Sequence, residues 1–151
     1  MADESNQLRV RLVTPERIFF DHAAVAVELP AKNGCMEVLY GHAPLVAELG
    51  AGDVIVHGGT DSKTGGEAGE AASLLRYNVS WGFAEVLPDR VTILAADALK
   101  PEEIDVSRAQ DQLARGHKEW DEAGDHAEAY TEALRVIAEA EAKIASAAEK
   151  H

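Results

Sequence analysis

The sequence has a single cysteine, few aromatic residues and a shortage of positive charge. Cys35 stands alone in 151 residues, so no disulfide forms within the chain and no cysteine-rich zinc site can be assembled. A reducing compartment is the expected home. Aromatic residues make up 5% of the chain against 46% hydrophobic residues, which leaves a core to be built from Val, Leu, Ile and Ala. Lys and Arg number 14 against 27 Asp and Glu, a formal net charge of −13. With no run of basic residues to neutralise phosphates, a nucleic-acid binder is excluded, and so is an electrostatic anchor on anionic lipid. An acidic surface suits solubility or a basic partner. No stretch approaches the ~20 consecutive apolar residues that cross a bilayer, and the polar start Met1–Asn6 does not read as a signal peptide. A soluble, cytoplasmic protein with no direct membrane insertion is expected.

What the chain does have is two halves with different periods. Up to about Ala96 the period is two. Leu8, Val10 and Leu12 alternate with Arg9, Arg11 and Val13, and Val25, Val27 and Leu29 alternate with Ala24, Ala26 and Glu28. Further strand-like segments are Ile18–Phe20, Cys35–Tyr40, Val46–Leu49, Val54–His57, Leu74–Val79, Phe83–Leu87 and Val91–Leu94. Gly50-Ala51-Gly52-Asp53 and Pro88-Asp89-Arg90 read as turns between them. Short strands at intervals of about 8–12 residues predict an antiparallel sandwich or barrel. Asn78-Val79-Ser80, a glycosylation sequon, falls inside one of these strands as a chance match. Gly58 to Glu70 holds five glycines and little to bury. Its Lys63-Thr64 precedes Gly65-Gly66, the wrong order for a phosphate loop, so a long mobile hairpin loop is expected.

After Leu99 the period changes. Pro101-Glu102-Glu103 places proline and acids where a helix N-terminus accepts them. Val106, Ala109, Leu113, Gly116 and Trp120 form one helical stripe. Asp121–Asp125 interrupts, and Tyr130, Ala133, Leu134, Ile137, Ala140, Ile144 and Ala147 form a second. The fold class is therefore α+β: an antiparallel β-sandwich over residues 1–98, then an antiparallel two-helix hairpin over 99–151. The stripes are thin, since small residues bury little area at ~25 cal/mol per Å². Such a hairpin leans on the sandwich or on a partner.

Between two of the strands lies Gly41-His42-Ala43-Pro44-Leu45, a tight, rigid corner. It is preceded by Asn33-Gly34-Cys35-Met36-Glu37-Val38-Leu39-Tyr40 and followed later by Gly82-Phe83-Ala84-Glu85-Val86-Leu87-Pro88-Asp89-Arg90-Val91-Thr92-Ile93-Leu94-Ala95. With Thr14-Pro15-Glu16 and Phe19 near the start, this ordered set resembles the epsilon subunit of F-type ATP synthases across nearly the whole chain. Glu37 stands where that family commonly has glycine, and Trp81 where the first of two adjacent glycines is usual. The insert after His57 is longer than typical.

The resemblance implies a non-catalytic rotor subunit of the central stalk in a proton- or sodium-translocating complex. It would sit peripherally on the cytoplasmic side of the inner (plasma) membrane. Its sandwich would join the gamma subunit to the c-ring, through Asn33, Gly34, Cys35, Gly41, His42, Ala43, Pro44 and Leu45. Its hairpin would extend into the alpha/beta catalytic head and inhibit ATP hydrolysis. Ile104-Asp105-Val106-Ser107-Arg108-Ala109 also matches the pattern by which some bacterial members are thought to bind ATP. By that likeness Ile104, Asp105, Arg108 and Ala109, with Arg115 two helical turns on, are candidates for a regulatory ATP site. No cofactor is required. Against ATP, Asp105 and Arg108 at i,i+3 also make an ordinary surface pair. Glu139 and Lys143, with Arg135 nearby, occupy the second helix where ATP-binding members use basic residues. The histidines, His22, His42, His57, His117, His126 and His151, form no metal pattern, and no nucleophile–base motif appears. A free-standing binding module with a structural appendage is the alternative.

Overall fold

A computed structural model describes residues 7–58 and 74–148. The glycine-rich stretch expected to form a mobile loop lies, beyond Gly58, outside the described residues. The strands are β1 (Leu8–Val13), β2 (Ile18–Ala24), β3 (Ala26–Ala31), β4 (Gly34–Leu39), β5 (Leu45–His57), β6 (Leu74–Val86) and β7 (Arg90–Leu99). A 3-10 turn at Pro101–Glu103 leads to helices α1 (Val106–Ala123) and α2 (Ala127–Ala148). Residues group into two compact units, Met1–Ala98 and Leu99–His151.

The first unit is an N-terminal sheet of seven strands in the order β2-β1-β7-β6-β5-β3-β4. β1 pairs with β7 in parallel, while β1–β2, β3–β4, β3–β5 and β5–β6 pair antiparallel. Alternation drives the burial: in β1, Leu8, Val10 and Leu12 are at most 1% exposed, while Arg9 and Arg11 face outward.

The expected turn at Gly50–Asp53 is absent, and so is the expected break between Val79 and Phe83. β5 and β6 each run unbroken for 13 residues, paired without a slip from Leu45↔Val86 to His57↔Leu74. Along β5 the buried apolar positions are Leu49, then Val54 and Val56; along β6 they are Tyr77 and Val79, then Ala84 and Val86, with the polar Asn78 and Ser80 buried at the crossing. Odd and even positions exchange roles in both strands. Because side chains alternate, the face that meets the core has changed, and the pair bends from one layer of the sandwich into the other. Glycines make the bend rather than a reversal. A Cβ on Gly52 would lie 2.7 Å from Pro30 Cβ, where β3 carries a register shift against β5. In β6, Trp81 has φ +56° and Gly82 φ +125°. The core consists of Leu, Val, Ile and Ala with Phe20 and Tyr77, as a sequence poor in aromatics requires.

The second unit is the helical hairpin. Its buried helical positions are small, and most are seven apart: Ala109, Gly116 and Ala123 on α1, and Ala133, Ala140 and Ala147 on α2, with Ser146 buried beside the last. Gly116 meets α2 directly: an added Cβ would lie 2.8 Å from Ile137 Cγ1 and 3.3 Å from the Ile137 nitrogen. Val106 and Trp120, expected on the buried stripe, are instead about two-fifths exposed, and Trp120 packs at 6.1 Å against Tyr130. A two-turn spacing of seven puts the smallest side chains on one seam, and it is this seam that lets the helices approach. Gly124, at φ +53°, ends α1 and turns the chain.

Candidate functional site

The corner is built by hydrogen bonds on either side of one glycine. Gly41, at φ +88°, donates its N–H to the Pro88 carbonyl at 2.7 Å, tying the corner to the β6–β7 turn. The His42 N–H donates to the Leu39 carbonyl at 3.2 Å, closing the turn out of β4. His42 Nδ1 lies 2.7 Å from the Ala43 carbonyl oxygen, a geometry in which the ring nitrogen donates. His42 thus works on its own backbone, and Pro44 then fixes the entry into β5.

Around this rigid frame the apolar side chains point to solvent. Leu39, Tyr40, Leu45 and Val46 are 53%, 44%, 36% and 68% exposed. Phe83, on β6, is exposed too, and its partner Glu48 lies two residues beyond Val46 on the same face of β5. Leu39, Tyr40, Val46 and Phe83 escape sequence reasoning because an alternating strand does not reveal which of its faces is covered. The signal available was the continuous apolar pair Leu45-Val46, unusual beside a turn.

Asn33, Gly34 and Cys35 are exposed, with Gly34 at φ +134° in the β3–β4 turn. They lie at the opposite end of β4 from Gly41–Leu45. Five residues, Met36 to Tyr40, separate the two groups, most of them extended at about 3.3 Å each. The structure therefore does not bring the eight candidate interface residues into one patch.

At the start of α1 the candidate nucleotide residues are engaged locally. Asp105 is the N-cap, its Oδ1 accepting the Arg108 N–H at 3.2 Å. Ile104 is 6% exposed and Ala109 2%, so both serve packing. Arg108 is exposed, and Arg115 sits 3.7 Å from Glu119 across one helical turn. On α2, Lys143 pairs with Glu139 at 2.9 Å. We expect Asp105→Ala to remove about 1 kcal/mol of hairpin stability, read as a lower helical melting temperature, while Asp105→Asn retains most of it. Equal melting of the Asp105→Ala and unaltered chains would show that the cap contributes nothing. Among the described residues no group of three or more His, Cys, Asp or Glu side chains could hold a metal ion.

Residues 7–101 match the model of the ATP synthase delta/epsilon chain β-sandwich domain. This chain belongs to the ATP synthase epsilon chain family. It is 35% identical over 146 residues to the epsilon chain of Solibacter usitatus, covering 95% of this chain and 97% of that one. Identity to the epsilon chain of Koribacter versatilis is 42% over 113 residues, 75% of this chain and 71% of its relative. The chloroplastic epsilon chain of Chlamydomonas reinhardtii is 36% identical over 104 residues, 69% of this chain and 70% of that one. In fold, the chain matches one in the structure of the Euglena gracilis mitochondrial ATP synthase, with TM-score 0.72 and 20% identity. That match covers 97% of this chain and 86% of the other.

The epsilon-chain setting gives the sequence departures a physical reading. Trp81 occupies a left-handed backbone position, which glycine adopts freely and other residues at a cost of about 1–2 kcal/mol. Glu37, standing for another usual glycine, is exposed on β4, an edge strand, where a charged side chain has room. No helix among the described residues of this epsilon chain is long and apolar enough to cross a membrane.

Proposed function

We propose that this epsilon chain works as a non-catalytic subunit of the central stalk of an F-type ATP synthase. The sandwich docks on the gamma subunit and the c-ring, and the hairpin restrains ATP hydrolysis at the alpha/beta head. In this reading the chain is held peripherally, on the cytoplasmic side of the membrane. The observation that carries the docking role is the corner. A rigid turn, tied by Gly41 to Pro88, holds Leu39, Tyr40, Leu45 and Val46 out in solvent. Clustered exposed apolar side chains on a stiff scaffold mark a protein interface, and few positions carry most of its strength. The alignment with the Solibacter usitatus epsilon chain spans the hairpin as well as the sandwich, which supports a role for both units.

The hairpin suits a switch because its seam is made of glycine and alanine. Little apolar area holds it together, and two states of such an element differ by only a few kcal/mol. ATP would enter the scheme only by drawing Asp105 off its cap and Arg115 away from Glu119, so regulation by nucleotide stands outside the reading favoured here.

The docking role is tested by Tyr40→Asp with Val46→Asp in a reconstituted complex. Both side chains are exposed, so the free chain is expected to melt at its usual temperature. Its retention in the complex is expected to fall at least about tenfold, the size of a lost apolar anchor. Undiminished retention would show that the corner is not an interface.

A further inference from the structure

Among the described basic residues of the sandwich, three are engaged at separate places. Lys32 pairs with Glu48 at 3.2 Å, Arg76 with Asp53 at 2.8 Å, and Arg17 lies 4.1 Å over the Phe19 ring. The others, Arg9, Arg11 and Arg90, converge on one place. Parallel pairing of β1 with β7 sets Arg9 beside Arg90 and Arg11 beside Thr92. Positions two apart share a face, so these residues stand together on the outer side of the sheet. Asp21 of β2, opposite Arg11, joins them from the other flank. With Val91 and Thr92 they line a surface cleft of about 210 Å³.

The charges in this cleft do not balance. Asp21 is the one acid lining it, with Oδ1 2.8 Å from Arg9 Nη2 and Oδ2 3.9 Å from Arg11 Nε. Among the described residues no acid lies in ion-pair reach of Arg90. Two positive charges remain over, in a chain whose net charge is −13. Like charges on neighbouring strands repel, so the arrangement does not serve the stability of the sheet. The paired sheet beneath fixes the spacing of the backbone positions from which the three arginines project. Asp21 shows which group the arginines hold between them: a carboxylate, whose Oδ1 lies 2.9 Å from Arg9 Nε and 2.8 Å from Arg9 Nη2.

We propose that this cleft is a docking surface for an acidic segment of a protein partner, with two carboxylates meeting Arg11 and Arg90. The rest of the chain repels an acidic partner, so the cleft fixes where and in which orientation that partner lands. The proposal rests on the reading of the chain as a subunit of a larger assembly.

The test is Arg11→Glu with Arg90→Glu, both exposed positions, in the reconstituted ATP synthase. Retention of the chain is expected to fall about tenfold at ~50 mM salt, a difference that fades near ~0.5 M as screening shortens. Arg17→Glu with Lys32→Glu makes the same change of charge elsewhere on the sandwich and is expected to leave retention unchanged. Equal loss with that pair, or no loss with the first, overturns the proposal. Inorganic phosphate titrated onto the free chain is the second arm. Saturable binding at these arginines below about 1 mM, with retention in the complex unaffected by the double variant, would make the cleft a small-anion site instead. If the unaltered chain does not join the complex, the subunit reading falls and this inference with it. If the unaltered and double-variant chains join equally, only the inference falls.

Discussion

Gly82→Ala is expected to prevent the sandwich from forming. A Cβ at this position would overlap the Leu94 carbonyl oxygen and lie 3.0 Å from its carbon and 3.1 Å from the Ala95 Cα. These are backbone atoms of the adjacent strand β7, so no side chain can swing aside. The position also has φ +125°, where any residue with a β-carbon is strained. Relief would require β6 and β7 to separate at the bend where the sheet passes from one layer to the other. A loss above about 4 kcal/mol is expected, against the 5–15 kcal/mol that holds a domain of ordinary stability. Gly34→Ala supplies the comparison. Gly34 has φ +134° but nothing within 4 Å of an added Cβ, so only backbone strain of about 1–2 kcal/mol is expected there. Urea unfolding followed by β-sheet circular dichroism separates the two. Similar midpoints for both variants would mean that β7 does not lie against Gly82 as described.

The second large effect belongs to the hairpin, and it has a sign that depends on size. Gly116→Leu places a bulky side chain against Ile137 and Val136, whose nearest atoms would already be 2.8 and 3.2 Å from a Cβ. The helices must part, and the buried alanines on either side lose their contacts together. Overpacking of this kind removes roughly 1–3 kcal/mol or more. For a seam of alanines that is enough to melt the pair, read as loss of the cooperative helical transition. Gly116→Ala is expected to be close to neutral. Alanine gains about 1 kcal/mol of helix propensity over glycine, which is expected to offset most of the cost as Ile137 Cγ1, Val136 Cγ1 and the α2 backbone at Ile137 give way by a few tenths of an ångström. A Gly116→Leu chain with an unchanged helical transition would contradict the close approach of α1 and α2.

How much of this could be read beforehand differs from residue to residue. Alternation exposed the strands, and the change of period at Leu99 exposed the helices, because both signals are local. Gly50–Asp53 was read as a turn because glycine and aspartate favour turns. In the structure the same residues let a long strand bend beneath Pro30, a close approach that depends on a distant partner. Trp81 gave notice only as an unusual residue beside Gly82; its positive φ explains why. The corner was legible from Gly41-His42-Ala43-Pro44-Leu45, whose geometry is set within five residues. The exposed ring of Leu39, Tyr40 and Val46 was not, since exposure is decided by what fails to cover a face. Asn33–Cys35 lies close to the corner in sequence, yet it stands at the start of β4 and the corner follows the end of that strand. The arginine cleft was invisible for the same reason. Arg9, Arg11 and Arg90 make no run in the sequence and meet only through the parallel pairing of β1 with β7.

The central claim is that the sandwich anchors the chain while the hairpin restrains hydrolysis. The direct measurement is ATP hydrolysis by the reconstituted complex, with the full chain and with a chain ending at Leu99. The two units divide between Ala98 and Leu99, so this cut removes the hairpin and leaves the strands of the sandwich. The account predicts hydrolysis several-fold faster with the shortened chain, with the sandwich still retained in the complex. The same rate from a complex that retains the shortened sandwich would contradict it, leaving the hairpin without an inhibitory role.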